Sequence, residues 1–259
     1  MLPTDEIHRI QDSGAVPAPL TQIAFASQLR LLVLAPHPDD FDAAAVTMSH
    51  FLKNGNHISV AVLTSGAGGV EDSFVIAPTE ENKIVLREHE QEASLRFFGL
   101  PRANLSFLRL PAGEDDSTQL MWRHAVKEFV SEAAPDIVLL PYGEDTNASH
   151  RRTYLVFRDI AAGTANPLLA LYLQDPKTIR IRLDFYVPFS DEQARWKSRM
   201  LQFHQSQQAR NLSRRGQGLD ERILQINRQI ASKLEGVPYA EGFQVELFHP
   251  EIGSCRTKP

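Results

Sequence analysis

Leu29-Arg30-Leu31-Leu32-Val33-Leu34-Ala35-Pro36-His37-Pro38-Asp39-Asp40-Phe41-Asp42 (LRLLVLAPHPDDFD) joins a continuous apolar run to a histidine and three carboxylates. A short unbroken run such as Leu29–Pro36 fits a strand buried on both faces, as in a parallel sheet. Placing three acidic groups directly after a buried strand is costly. Like charges so close repel one another unless a cation neutralises them. His37 and Asp40 are three residues apart across a turn, so both can reach one ion, and Asp39 between them can face a water bound there. A plainer reading is that Asp39 or Asp40 caps the helix that follows. Both readings make this turn the place to look first.

Downstream, the pattern alternates. Residues 42–53 read as a helix stopped at Asn54-Gly55, and Ile58–Leu63 (ISVAVL) reads as a second buried strand. Residues 80–98 have helical spacing and end at Gly99, and Leu105–Leu110 reads as a third strand. Residues 117–133 read as helix, Ile137–Leu140 as a fourth strand, and residues 150–162 as helix. Leu168–Leu173 and Asp184–Phe189 read as a fifth and a sixth strand. From Asp191 to about Leu234 the pattern is helical, interrupted near Gly216 and Gly218.

Strands alternating with helices predict βαβ units. The fold class expected is α/β: a Rossmann-like three-layer fold with a mostly parallel sheet, in a single domain with a C-terminal helical and strand extension. The expected limits are an N-terminal arm over 1–28, the domain over 29–250 and a tail over 251–259. In such sheets ligands bind beyond the carboxyl ends of the strands, at the topological switch point. The loops after the first and fourth strands are therefore where chemistry is expected.

The loop after the fourth strand reads Pro141-Tyr142-Gly143-Glu144-Asp145-Thr146-Asn147-Ala148-Ser149-His150. His150 opens a helix at the same end of the sheet as His37 and Asp40. Two histidines and one carboxylate with an open position make a catalytic zinc set. Thr64–Gly69 (TSGAGG) lacks the spacing of a dinucleotide loop and opens no helix directly; it reads as a loop that lets backbone approach the site closely.

The chain has 259 residues, 42% of them hydrophobic and 23% charged, with a net charge of −5. That size supports a full core, and the acidic balance gives no electrostatic footprint for nucleic acid. The single cysteine, Cys255, excludes a disulfide framework and a multi-thiolate zinc site, so any metal is held by histidine and carboxylate. The absence of a G-x-S-x-G elbow argues against a serine hydrolase. With no apolar leader and no run of 18 apolar residues, a cytoplasmic protein without a membrane span is expected.

Taken together, these segments resemble the LmbE/PIG-L family of metal-dependent N-deacetylases over most of residues 29–245. His37-Pro38-Asp39-Asp40 looks like the family signature, and Leu63–Gly69 is similar to its T-x-G-x-x-G segment. Arg87-Glu88-His89-Glu90 is similar to its R-x-x-E helix, and Asn147–His150 occupies the place of its H-x-(D/N)-H motif. Lys197, His204-Gln205-Ser206-Gln207 and Tyr239-Ala240-Glu241-Gly242-Phe243 match its C-terminal pattern.

The resemblance implies hydrolysis of an N-acyl, usually N-acetyl, group from a small glucosamine-containing conjugate. It implies His37, Asp40 and His150 as ligands of one zinc per chain, with Fe or Mn as alternative ions, and Asp39 as general base. Asp42, Arg87, Ser149 and His204 are expected around the site or against substrate. Asn147 stands where the family usually has a histidine credited with stabilising the oxyanion, and Ser149 where Asp or Asn is usual. Asn147 is read either as a neutral oxyanion donor or as an Asx-turn residue. The resemblance also implies association into homo-oligomers. Two other functions stay open: a metal-dependent lyase or hydratase on the same scaffold, and a non-catalytic binding protein.

Overall fold

A computed structural model describes residues 2–113 and 115–249. The element order is α1 (Thr4–Asp12), β1 (Ala18–Pro19), β2 (Arg30–Ala35), α2 (Ala45–Lys53), β3 (His57–Val62), α3 (Glu80–Phe98), β4 (Leu105–Phe107), α4 (Asp116–Ala133), β5 (Ile137–Pro141) and α5 (Ala148–Ala161). It continues through β6 (Leu168–Leu173), β7 (Phe185–Phe189), α6 (Asp191–Leu201), α7 (Gln205–Arg215), α8 (Leu219–Ala231) and β8 (Tyr239–Phe248). Cys255 and the expected tail lie outside the described residues.

One eight-stranded sheet has the order β1-β7-β8-β6-β5-β2-β3-β4. The pairs β2–β3, β2–β5, β3–β4, β5–β6 and β1–β7 are parallel, and β8 runs antiparallel to both β6 and β7. The expected mostly parallel α/β domain is the one observed. β2 shows why it is layered. Leu31, Val33 and Ala35 join the core beneath α2, α3 and α6, while Leu32 and Leu34 join the core beneath α4 and α5. Alternate side chains of a strand face opposite ways, so a run apolar at every position is what two helical layers require. Ile7, Leu20 and Ile23 of the N-terminal segment are buried in the first of these cores.

The structure redraws several boundaries. Residues 42–44 form a 3-10 turn, and the α-helix starts only at Ala45. The third strand ends at Phe107 because Arg109 has φ +47. Backbone bonds from Leu108 N to Val62 O (2.9 Å) and from Leu110 N to Leu63 O (2.7 Å) nevertheless carry the chain along β3. The C-terminal helical pattern is broken at 202–204 as well as at Gly216, giving three helices. β8 is an additional central strand, masked in the sequence by Glu241 and Gly242. A Cβ at Gly242 would lie 2.7 Å from Leu183 Cδ1 and 3.1 Å from Ile230 Cδ1, so a side chain there would push those groups aside.

Candidate metal centre

From β2 the chain runs outward to β3 and β4, then returns to place β5 on β2's other side. The switch point is therefore between β2 and β5, and the two loops singled out in the sequence leave the sheet there. They bring His37, Asp40 and His150 together, with one potential ligand atom from each lying within 4.8 Å of the others. His37 Nδ1 is 3.0 Å from Asp40 Oδ2, and His150 Nε2 is 3.4 Å from Asp40 Oδ1. Tetrahedral zinc with bonds near 2.1 Å puts its ligand atoms ~3.4 Å apart. The donor types and their spacing fit a divalent ion. The Lys177 ammonium lies 3.0 Å from His150 Nε2 and 3.6 Å from Asp40 Oδ1, so this point already attracts a cation.

His150 is fully buried, and its other nitrogen is fixed from behind. Nδ1 lies 3.0 Å from Asp145 Oδ2 and 3.4 Å from Asp175 Oδ2. A carboxylate on the far nitrogen sets the orientation and tautomer of a ligating histidine. Asp175 is itself held by donors from Lys177 N (2.7 Å) and Thr178 N (3.0 Å) in the loop after β6. Burial and Lys177 oppose the imidazolium of His150, but Asp40 and Asp145 outweigh them and raise its pKa to about 9. His37 shifts the other way, lowered chiefly by burial against the pull of Asp40. Burial works against the Asp40 carboxylate, yet Lys177 and the histidines hold it well below the usual range. Burial likewise works against the Lys177 ammonium, and Asp40, Asp175, Asp39 and Asp145 together raise it.

Neither Asp39 nor Asp40 caps α2. Asp40 Oδ2 accepts from His37 N at 2.8 Å, closing its own turn. The free N–H groups of Val46 (3.0 Å) and Thr47 (2.7 Å) go to Glu241 of β8 instead. Glu241 is paired at 2.6 Å with the fully buried Lys197, which also donates to Ala43 O at 2.6 Å. Glu241 and Lys197 thus support the turn from below.

Asp39 has φ +124, a region that residues with a Cβ rarely adopt. Its backbone N–H donates to Gln91 Oε1 at 2.9 Å, and its carboxylate is 3.3 Å from Arg87 Nη2. Arg87 also donates to Pro38 O and, at 3.1 Å, to Glu90. Gly66, with φ +65, makes room for this arrangement: a Cβ there would lie 3.0 Å from Pro38 Cδ and 3.3 Å from Arg87 Nε. Close backbone approach at TSGAGG is what the structure shows.

Asp42 is fully buried and does not touch His37 or Asp40. It accepts from Ser94 Oγ and from Gln91 Nε2 (3.1 Å), and lies 3.1 Å from His204 Nε2. It therefore acts on Asp39 through Gln91. Asn147 caps α5, its Oδ1 accepting from Ser149 N at 2.9 Å, which is the turn reading. Among the described residues its Nδ2 donates to nothing, and both Asn147 and Ser149 line the cavity in front of the site. The cap and a donor role are compatible because they use different atoms. Gln91, Asp145, Asp175 and Lys177 were missed in the sequence. Asp145 stood in the quoted loop, and Asp175 and Lys177 follow a parallel strand, where the switch-point rule could have found them.

The cavity has a volume of about 860 Å³ and is lined by His37, Asp39, the 64–69 loop, Asn147 and Lys177, with α7 and α8 forming further wall. The α/β domain thus brings two histidines and an aspartate together at its switch point, beside Asp39 with its strained backbone, and this donor set suits a divalent ion. Residues 32–161 match the family model described as PIG-L: GlcNAc-PI de-N-acetylase. The chain belongs to the PIG-L family and is a hydrolase of amide bonds.

Several solved structures share the fold, among them the three that follow. N,N'-diacetylchitobiose deacetylase from Pyrococcus horikoshii aligns over 95% of this chain and 93% of its own, at 18% identity and TM-score 0.72. The zinc-inhibited form of teicoplanin deacetylase Orf2 aligns over 84% and 98%, at 15% identity and TM-score 0.67. GalB, the 4-carboxy-2-hydroxymuconate hydratase from Pseudomonas putida, aligns over 85% and 96%, at 18% identity and TM-score 0.63. No curated protein sequence matches this one. No helix among the described residues is long and apolar enough to cross a membrane.

Proposed function

We propose that the protein removes an N-acyl group, most simply N-acetyl, from a small amino-sugar conjugate, using a divalent ion held by His37, Asp40 and His150. The observation that carries this reading is the convergence of those three donors beside Asp39, a carboxylate held in a strained backbone posture at the mouth of a cavity. Deacetylases of N,N'-diacetylchitobiose and of teicoplanin among the structural neighbours support deacylation, and the family description, GlcNAc-PI de-N-acetylase, supports an amino-sugar substrate. Zinc suits two imidazoles and a carboxylate, and Fe or Mn would be accepted by the same set.

Lewis-acid activation of a water and of the amide carbonyl is the chemistry that a divalent ion supplies there when bound. Asp39 accepts the proton of the attacking water and returns it to the departing amine. Arg87 and Gln91 hold Asp39 in place, Arg87 by its charge and Gln91 through the backbone. Asp145 and Asp175 keep His150 Nε2 directed into the site. Asn147 Nδ2 donates a hydrogen bond to the developing oxyanion while Oδ1 continues to cap α5.

Acetate release from N-acetylated amino sugars, measured with the protein as purified, after chelation and after addition of Zn²⁺, tests the reading. Acetate formation that is lost on chelation and restored by metal is expected. Hydration of an unsaturated acid without any acetate release would favour the hydratase-like alternative and refute the deacylase.

A further inference from the structure

Lys177 stands among aspartates and histidines, and the proposed chemistry gives it no task. It belongs to Asp175-Pro176-Lys177-Thr178, in the loop that follows β6. Asp175 Oδ1 accepts from Lys177 N (2.7 Å), Thr178 N (3.0 Å) and Thr178 Oγ1 (3.1 Å), closing the turn on its own side chain. Thr146 N donates to Lys177 O at 3.0 Å, and Ile179 N to Glu144 O at 2.8 Å. These bonds tie the turn to the loop that carries Asn147 and His150. The backbone of Lys177 is thus fixed from two directions, and its side chain lines the cavity together with His37, Asp39 and Asn147.

The ammonium lies 3.0 Å from His150 Nε2 and 3.6 Å from Asp40 Oδ1. In a tetrahedral site the ion is ~2.1 Å from each donor, whereas a fourth ligand is ~3.4 Å from each of the other three. Relative to these two donors, Nζ stands at the distance of the fourth ligand and not at that of the ion. The open coordination position is where the oxygen of a reacting amide enters, and that oxygen gains negative charge as water attacks.

Asp39, Asp40, Asp145 and Asp175 all act on this point, and each opposes a second negative charge forming there. Arg87 is engaged by Asp39 and Glu90. Among the described residues Lys177 is the only lysine or arginine paired with Asp40. A lysine head on a flexible four-carbon stem, with three rotatable donors, can give way to an entering oxygen and stay within hydrogen-bond reach of it.

We propose that Lys177 is a catalytic residue, whose ammonium donates to the oxygen of the reacting amide at the open coordination position and acts as the charged partner of Asn147. The proton stays on Nζ throughout, so Lys177 stabilises charge and transfers nothing. The reaction it serves rests on the deacylase reading, whereas its place at the open position rests on the metal site alone.

The test uses the protein loaded with Co²⁺, whose visible spectrum responds to a ligand entering the open position, and azide as the probe. Azide should bind Lys177→Met about 10- to 100-fold more weakly than wild type, with Lys177→Arg between them. One Co²⁺ per chain should remain in Lys177→Met, because loss of an ammonium beside the donors removes a repulsion for the ion. In turnover of an N-acetylated amino sugar, Lys177→Met should lower kcat by about 10²–10³-fold with little change in KM, since the contact strengthens in the transition state. Lys127→Met, at an exposed position of α4, is the control.

Equal azide affinity in wild type and Lys177→Met would overturn the inference. So would an unchanged kcat with only a lower melting temperature, which would leave Lys177 as a counter-charge of the aspartates. Azide binding weakened in Lys177→Met, with no acetate released by wild type from any N-acetylated sugar, would uphold the place of the ammonium and sink the deacylase reading. A wild type that takes up no Co²⁺ would sink the metal site and this inference with it.

Discussion

Asp39 combines the proposed catalytic carboxylate with a strained backbone. It sits at φ +124 although it carries a Cβ. A residue held in such a region costs about 1–3 kcal/mol, and glycine avoids that cost. Replacing Asp39 by alanine and by glycine removes the carboxylate in both cases and with it the 3.3 Å contact to Arg87, so those losses cancel between the two variants. What remains is backbone strain, offset by the ~0.5–1 kcal/mol that glycine's greater freedom in the unfolded chain costs. Asp39→Gly should therefore be the more stable of the pair by about 1 kcal/mol. For a chain of this length that corresponds to a melting temperature about 2–4 °C higher. Differential scanning calorimetry of the two metal-loaded variants reads the difference directly. Both should also lose activity by about 10²–10⁴-fold, the usual contribution of a general base. An alanine variant that melts at or above the glycine variant would refute the strain. A glycine variant with near wild-type kcat would refute the base.

Three further outcomes are expected. His37→Ala and His150→Ala should each lose bound metal by elemental analysis while staying folded; full occupancy in both would remove them as ligands. Lys197→Met leaves Glu241 charged and unpaired in a fully buried place, and should cost about 3–5 kcal/mol in urea unfolding; a change under 1 kcal/mol would show that the pair does not support the turn. Asn147→Ala should lower the melting temperature by removing a helix cap worth ~1 kcal/mol, and should also lower kcat and kcat/KM together if Nδ2 serves the oxyanion. A variant that melts lower but turns over normally assigns Asn147 to the cap alone.

Legibility in the sequence followed the range of the interactions. β2 could be read because a strand buried on both faces is apolar at nearly every position, and α3 because its helical spacing ends at Gly99. The three proposed ligands could be read because their loops are short and leave adjacent strands at the switch point. The break before α7 could not. No glycine or proline marks residues 202–204; the chain turns there because His204 is anchored to Asp42 and Ser206 donates to Glu90 through N (2.6 Å) and Oγ (2.7 Å). β8 was hidden for a similar reason. Glu241 looks like a surface residue until Lys197 and the start of α2 are placed around it. The break before α7 and β8 both depend on polar residues whose burial requires a partner far along the chain.

Those same long-range contacts give the turn its shape. Asp39 cannot hold φ +124 from local preference, since the adjacent prolyl and aspartyl residues do not require it. Its N–H is fixed by Gln91, whose own amide is fixed by Asp42, which in turn meets His204 at the start of α7. Arg87, one turn earlier on α3 than Gln91, grips the neighbouring Pro38 carbonyl and the Asp39 carboxylate. The strained residue is thus held from α3, and α3 is tied to α7 twice, through Asp42–His204 and through Glu90–Ser206. α7 also carries Arg210 and Arg215 into the cavity wall. One helix therefore both anchors the network that shapes the proposed base and forms part of the cavity wall.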